Sequence, residues 1–377
     1  MSVIDAPRTS HEDVPRRAAW NPAAAIEVGG CGAAGLAAAW VPLQLTGWDA
    51  PFGFFVLWFV SFLVILGVVV RQRHGVLELK DRMATVLITA GTGFALLPLV
   101  LILVYVVVKG GGPVLARFPH FLTHDMHLYG PTDPASKAGM EAAIIGTLEQ
   151  VGLATVVTVP VGILAATYIN EIGGRLAAIV RTVADAMTGL PTVIAGLFVY
   201  AAWVKPRGTA GHSGWAAAMA LMVIMLPTMV RTSEEVLRIV AGSLREAALA
   251  LGAPEWRVIL RIVIPTARTG LVTAALLAIA RALGETAPVL LTAFGSAHVN
   301  VNPFSGPQAS LTIQVYTLVR SASNHNVAVG NGGALVLVIL ILTLFTLARI
   351  LGAGERGRRR RPPLRQLLLR GRMPTGL

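Results

Sequence analysis

"SLREAALALGAPEWRVILRIVIP", residues 243–265, is a polar, arginine-dotted stretch lying between two hydrophobic segments. Its local grammar is helical. Ser243 followed by Glu246 fits the S-x-x-E capping box, in which the serine oxygen takes an amide of the first turn and the glutamate reaches back to the cap. That predicts a helix from Leu244, ended by Gly252, the residue type that tolerates the left-handed position past a helix end. Pro254 suits the first turn of a second helix, which Pro265 is expected to close. The reading is two short helices joined by a glycine turn. A DNA-reading helix-turn-helix would look similar, but here both ends are tethered a few residues from apolar spans and no dimerising region accompanies it. An amphipathic helix lying on a membrane surface is the other reading of the same residues.

The rest of the chain supplies the membrane. Of 377 residues, 55% are apolar and 13% charged, and the mean hydropathy is +0.69, which marks a polytopic membrane protein rather than a soluble globule. Stretches of about 20 apolar residues can cross a bilayer. Windows at 29–47, 52–70, 85–108, 142–169, 179–202, 214–230, 269–294 and 333–352 qualify; the first, with Pro42 and Gln44, and the sixth are the weakest. With the N-terminus in the cytoplasm, only Lys109, Arg117, Lys137, Lys205, Arg207 and Arg320 of the 31 basic residues fall outside, and Arg281 falls within a span. That asymmetry is the positive-inside bias and places both termini in the cytoplasm. The net charge of +12 therefore belongs to membrane edges and the tail, and does not indicate nucleic-acid binding. A lone cysteine, Cys31, excludes an intrachain disulfide or a cysteine metal centre. The polar first 28 residues show no removable signal peptide.

The expected organisation is a polar N-terminal tail (1–28), a transmembrane hairpin (29–70), a basic cytoplasmic linker (71–84), a transmembrane domain (85–352) containing the 231–268 loop, and a basic tail (353–377) suited to anionic headgroups. In "DAMTGLPTVIAGLF", Pro191 removes a backbone donor and Gly189 and Gly196 permit close approach, so a kinked or interrupted span is expected. In "LLAIARALGETAPVLLTAFG", residues 276–295, Arg281 and Glu285 are four apart, which on a continuous helix puts them on one face. An arginine inside a membrane costs about 2.5–3.5 kcal/mol on insertion scales, so it needs a partner or a wet cavity. His120, His124 and His127, with Asp125, stand in a Pro-containing loop without a predictable fourth ligand, and an ordinary polar loop is the expectation. No catalytic set and no G-x-x-x-x-G-K-[ST] phosphate loop occurs, so the chain is expected to be no enzyme, with no bound cofactor or metal.

These motifs resemble a known family. Glu246-Ala247-Ala248, Gly252, Ile262, Ile264 and Pro265 reproduce the spacing of the coupling loop of ABC-importer permeases, E-A-A-x3-G-x9-I-x-L-P, with isoleucine for leucine. "ARALGETAP", residues 280–288, resembles the corresponding span of phosphate importer permeases of the PstA type. The stretches at 143–171, 189–201 and 226–253 extend that similarity. The resemblance implies an all-α permease with six core spans, plus the N-terminal hairpin, in the cell membrane. It implies that Glu246, Ala247, Ala248 and Gly252 dock on a cytoplasmic ATPase that handles ATP and Mg. It also implies that Arg231 and Arg281, with Glu285, take part in phosphate passage; for Arg231 a positive-inside role is an equal alternative. The implied partners are a second permease of the PstC type, two copies of a PstB-type ATPase, a PstS-type phosphate-binding protein outside, and the lipid bilayer. The hairpin, the basic tail and the polar pair Glu149-Gln150 depart from the pattern; Glu149 would face an arginine or the neighbouring permease. An ABC permease for sulfate, phosphonate or an amino acid is the alternative, and an ion-gradient-driven carrier, which would lack the coupling loop, a remoter one.

Overall fold

The computed structural model describes residues 22–46, 51–127, 129–130 and 137–353. The predicted tails lie outside them, apart from residues 22–28 and 353. Among the described residues every extended element is helical, and the sole strand-like contact is an isolated bridge between Phe294 and Gln308. We label the main helices α1 (Pro22–Thr46), α2 (Pro51–Leu115), α3 (Glu141–Ile172), α4 (Gly174–Thr188), α5 (Thr192–Gly211), α6 (Gly214–Arg238), α7 (Gly242–Ala250), α8 (Glu255–Leu283), α9 (Ala287–Ala293), α10 (Leu311–Val319) and α11 (Asn324–Ala353). Five described helices are long and apolar enough to cross a membrane, six when α4 and α5 count as one bent span.

The chain divides into two compact units, Met1–Leu101 and Ile102–Leu377. The first holds α1 and most of α2. At 65 residues and about 1.5 Å per residue, α2 would measure ~100 Å if straight, three times a bilayer core. It is broken at Gly75, where φ is 86 and ψ −177, a backbone state favoured by a residue without Cβ. Phe62, Leu66 and Val70 pack with Leu79, Met83 and Val86 and with Cys31 of α1, so the chain doubles back at the break. The windows at 52–70 and 85–108 thus lie on two helical arms either side of Gly75, and the rest of the 71–84 linker is helical. Glu27 of α1 accepts from Arg82 at 2.8 Å, closing the unit with a charge pair.

The second unit is organised round α6. Leu221, Met225 and Met229 are fully buried at the centre of a core that also takes Val151 and Ala154 of α3, Ala274 and Ala278 of α8, Val289 of α9 and Ile313 of α10. This is why the sequence marks α6 as a weak span: its alanines and methionines bury against protein, not lipid, and need not be strongly lipophilic. The expected interruption near Pro191 is sharp. α4 and α5 meet at 106°, because a proline cannot continue the ladder and disfavours helix at the residue before it. At Gly196 an added Cβ would lie 2.6 Å from Pro288 Cα, so α5 and α9 touch there; Gly189 makes no such approach. The window at 269–294 is corrected: α8 ends at Leu283 and α9 starts at Ala287, since Pro288 has no amide to donate to Gly284.

Candidate functional site

At the end of α6, the chain turns into α7 differently from the capping-box expectation. Ala241, with φ −56 and ψ 129, is the N-cap and makes no side-chain cap bond, while Gly242 and Ser243 are already helical. The far end matches the expectation closely. Gly252 has φ 77, its amide donates to the Leu249 oxygen at 2.9 Å, and the Ala253 amide donates to the Ala248 oxygen at 3.2 Å. These two bonds are the Schellman arrangement, which satisfies the orphan carbonyls of the last turn. Ala248 is buried against Val258, Val263 and Leu237, whereas Glu246, Ala247 and Gly252 are exposed. Beside them Leu244, Leu249, Leu251 and Trp256 are exposed large apolar side chains. An apolar patch around one carboxylate on a rigid helix-turn-helix is suited to meeting another protein.

Arg245, which no motif singled out, fixes α7 to the bundle. Its guanidinium donates to both oxygens of Glu171 at 2.9 and 2.8 Å, to the Val240 oxygen at 2.8 Å and to the Leu237 oxygen at 3.1 Å. The last two are carbonyls at the end of α6, where a cation also meets the helix dipole favourably.

Pro265 does not end the second helix. A π-turn over Ile259–Val263 precedes it, and the widened turn accommodates the missing proline amide, so α8 runs unbroken from Glu255, just past the Gly252 turn, to Arg281. The Arg281 guanidinium donates to Thr228 Oγ1 of α6 at 3.4 Å. Thr228 lies in the middle third of α6, yet Arg281 is on the surface of this chain. Arg231 stands one turn from Thr228 on the same face of α6, so the two arginines flank one threonine. Arg231 is engaged: its Nε is 2.7 Å from Asp185 and its Nη1 3.5 Å from Glu234. Glu234 is almost wholly buried and also receives Arg181 and Arg238, each at 2.8 Å. The spacing of Arg231, Glu234 and Arg238 was visible in the sequence; the contributions of α4 were not. Glu285 is not on Arg281's helix, because α8 stops first, and among the described residues no ion pair joins them. Glu285 instead sits in the break, its backbone oxygen accepting from Thr312 at 3.1 Å.

At the opposite end of α6, Glu149 is half-buried and pairs with no arginine among the described residues. It accepts a short hydrogen bond from Gln308, whose Oε1 in turn accepts from Gln150 at 3.0 Å. The histidines also divide. The rings of His120 and His124 lie edge to face, 4.9 Å apart, while His127 bonds Asp125 and stacks on His298 at 5.2 Å. Burial pushes the Asp125 carboxyl up, but the hydrogen bonds and charge of His127 and the charge of His298 together carry it below its ordinary value.

Residues 158–354 match the family described as binding-protein-dependent transport system inner membrane component. The chain is 38% identical over 288 residues to the phosphate transport system permease protein PstA 1 of Mycobacterium tuberculosis, covering 76% of this chain and 92% of that protein. It is 40% identical over 245 residues to the phosphate transport system permease protein PstA of Xylella fastidiosa, covering 64% and 79%. Among solved structures, a chain of the inward-facing MetNI methionine ABC transporter aligns with a TM-score of 0.45 at 22% identity, covering 57% of this chain and 96% of that one.

Proposed function

The chain belongs to the binding-protein-dependent transport system inner membrane component family, and from that premise we propose that it is the membrane permease of an ATP-driven phosphate importer. It has no catalytic role of its own. The observation that carries the reading is the position of Arg281, an arginine within an apolar stretch, bonded to α6 yet on the surface of its own subunit. Facing lipid there would be costly; facing a second permease, it lines a path between the two. A planar guanidinium with few internal bonds suits a phosphate oxygen, and the relatives that span most of the chain are phosphate permeases.

In this reading both termini are cytoplasmic and residues 242–258 dock in a cytoplasmic ATPase, present in two copies. Glu246 and the neighbouring leucines make the contact, and Ala247, Ala248 and Gly252 give α7 its small, rigid profile. ATP and Mg belong to that partner, whose hydrolysis moves α7. Motion passes to the path by two rigid links: the Arg245–Glu171 grip and the unbroken α8, a rod of about 40 Å at 1.5 Å per residue with Arg281 near its far end. Arg231, held by Asp185 and Glu234, forms the inner edge of the path, and Glu285 in the α8–α9 break keeps the anion from resting there. A PstS-type binding protein delivers phosphate from outside, and a PstC-type permease supplies the facing wall.

Reconstitution of the chain with a second permease, an ATPase and a phosphate-binding protein in vesicles tests this. The expected result is uptake of radiolabelled phosphate that requires ATP and is lost in Glu246→Arg. Uptake without ATP, or import of sulfate in preference to phosphate, would refute it.

A further inference from the structure

We propose that Asp125, His127 and His298 form a binding site for a zinc-class cation that ties together the two loops at the Gly214 end of α6. The sequence pattern of His120, His124 and His127 gave no such site, because the completing imidazole comes from a loop far along the chain. One ligand atom from each of Asp125, His127 and His298 lies within 4.8 Å of the others. Four-coordinate zinc with ligands at about 2.0–2.1 Å puts ligand atoms ~3.4 Å apart, so closure needs only small side-chain rotations.

The Asp125–His127 contact alone would be an ordinary turn, since both the backbone amide and the ring of His127 bond one carboxylate oxygen. His298 is what exceeds a turn. Its ring lies 5.2 Å from that of His127, nearly parallel at 28°. It is held there by the backbone: Met126 N–H donates to the Ala297 oxygen at 3.1 Å, the His298 amide donates to Ser296 Oγ, and Ser296 Oγ donates to the His298 oxygen. Two imidazoles and a carboxylate select zinc and its neighbours rather than magnesium or calcium, which take oxygen ligands. Both His127 contacts fall on one oxygen of Asp125, so its second oxygen serves as the ligand, and water completes the shell. His120 and His124 lie outside the set and serve as its control.

The test is competition for zinc between the purified full-length chain, without a polyhistidine tag, and a chromogenic chelator near neutral pH. The expected result is one zinc per chain, with affinity falling at least about tenfold in His298→Ala and in Asp125→Asn and unchanged in His120→Ala/His124→Ala. Zinc should also raise the unfolding temperature of the wild type but not of His298→Gln, which comes near the histidine in side-chain size. A wild type that retains no zinc against the chelator, or binding indifferent to His298, would overturn the proposal.

Discussion

Arg245 grips Glu171 with both nitrogens of its fork, at 2.9 and 2.8 Å, while also holding the backbone oxygens of Leu237 and Val240. One side chain thus locks α7 to the ends of both α3 and α6. Glu171 is nearly buried, and Arg245 is about one-fifth exposed, so losing the arginine strands a carboxylate and two helix-end carbonyls. Arg245→Ala should destabilise the subunit by about 3 kcal/mol, the scale of a broken buried pair. A double-mutant cycle with Glu171→Gln, read by thermal unfolding in detergent, should give a coupling of at least about 1 kcal/mol. Additive effects would mean that the two residues act separately.

Glu234 is served by three arginines, each substantially exposed, whereas its own carboxylate is buried. No single arginine is therefore critical. Arg181→Gln, Arg231→Gln and Arg238→Gln should each cost about 1 kcal/mol or less. Removing Arg181 and Arg238 together leaves the carboxylate with only the 3.5 Å contact from Arg231, and should cost about 3 kcal/mol. Unfolding curves of the single and double variants measure this non-additivity.

The same network separates the two arginines of the proposed path. Arg281 has a 3.4 Å bond to a hydroxyl as its partner, while Arg231 is committed to Asp185 and Glu234. Arg281→Gln is expected to cut phosphate uptake by at least about tenfold, equivalent to ~1.4 kcal/mol of lost stabilisation, in a complex that still assembles. Arg231→Gln should reduce uptake less than Arg281→Gln. Transport kinetics in matched vesicles decide between this order and its reverse.

The helix-turn-helix at 243–265 was legible because its signals are local: Gly252 at the left-handed position and the spacing of Glu246 to Pro265 do not depend on the rest of the chain. The cap was misread for the same reason, since Ser243 satisfies a pattern that the closer turn at Ala241 pre-empts. Pro265 reads locally as a stop, yet the π-turn before it keeps α8 whole. Arg245–Glu171, Glu149–Gln308 and His127–His298 join residues far apart in sequence, so no period or motif announces them. Arg281 and Glu285 show the converse: the four-residue spacing was real, but a helix break lies between them.

Gly252, at φ 77, is where an alanine would adopt a left-handed conformation at a cost of about 1–2 kcal/mol. Nothing crowds the position, so the penalty is conformational rather than steric. Gly252→Asn, which tolerates that region better, should retain more ATPase co-purification and more uptake than Gly252→Ala. Equal loss in both would point instead to direct contact of the glycine with the partner.

The last prediction concerns α8 as a rod. Leu260 and Arg261 are exposed within the π-turn, so replacing both with glycine softens the helix without removing a core contact. Each glycine costs about 1 kcal/mol of helix propensity, too little to unfold a span packed along α6. If α8 carries movement from α7 to Arg281, the variant should still co-purify with the ATPase and hydrolyse ATP, while phosphate imported per ATP falls several-fold. Uptake and hydrolysis measured in the same vesicles give that ratio directly. An unchanged ratio would show that the Arg245–Glu171 grip alone transmits the movement; a loss of co-purification would assign Leu260 to the docking surface, beside Trp256.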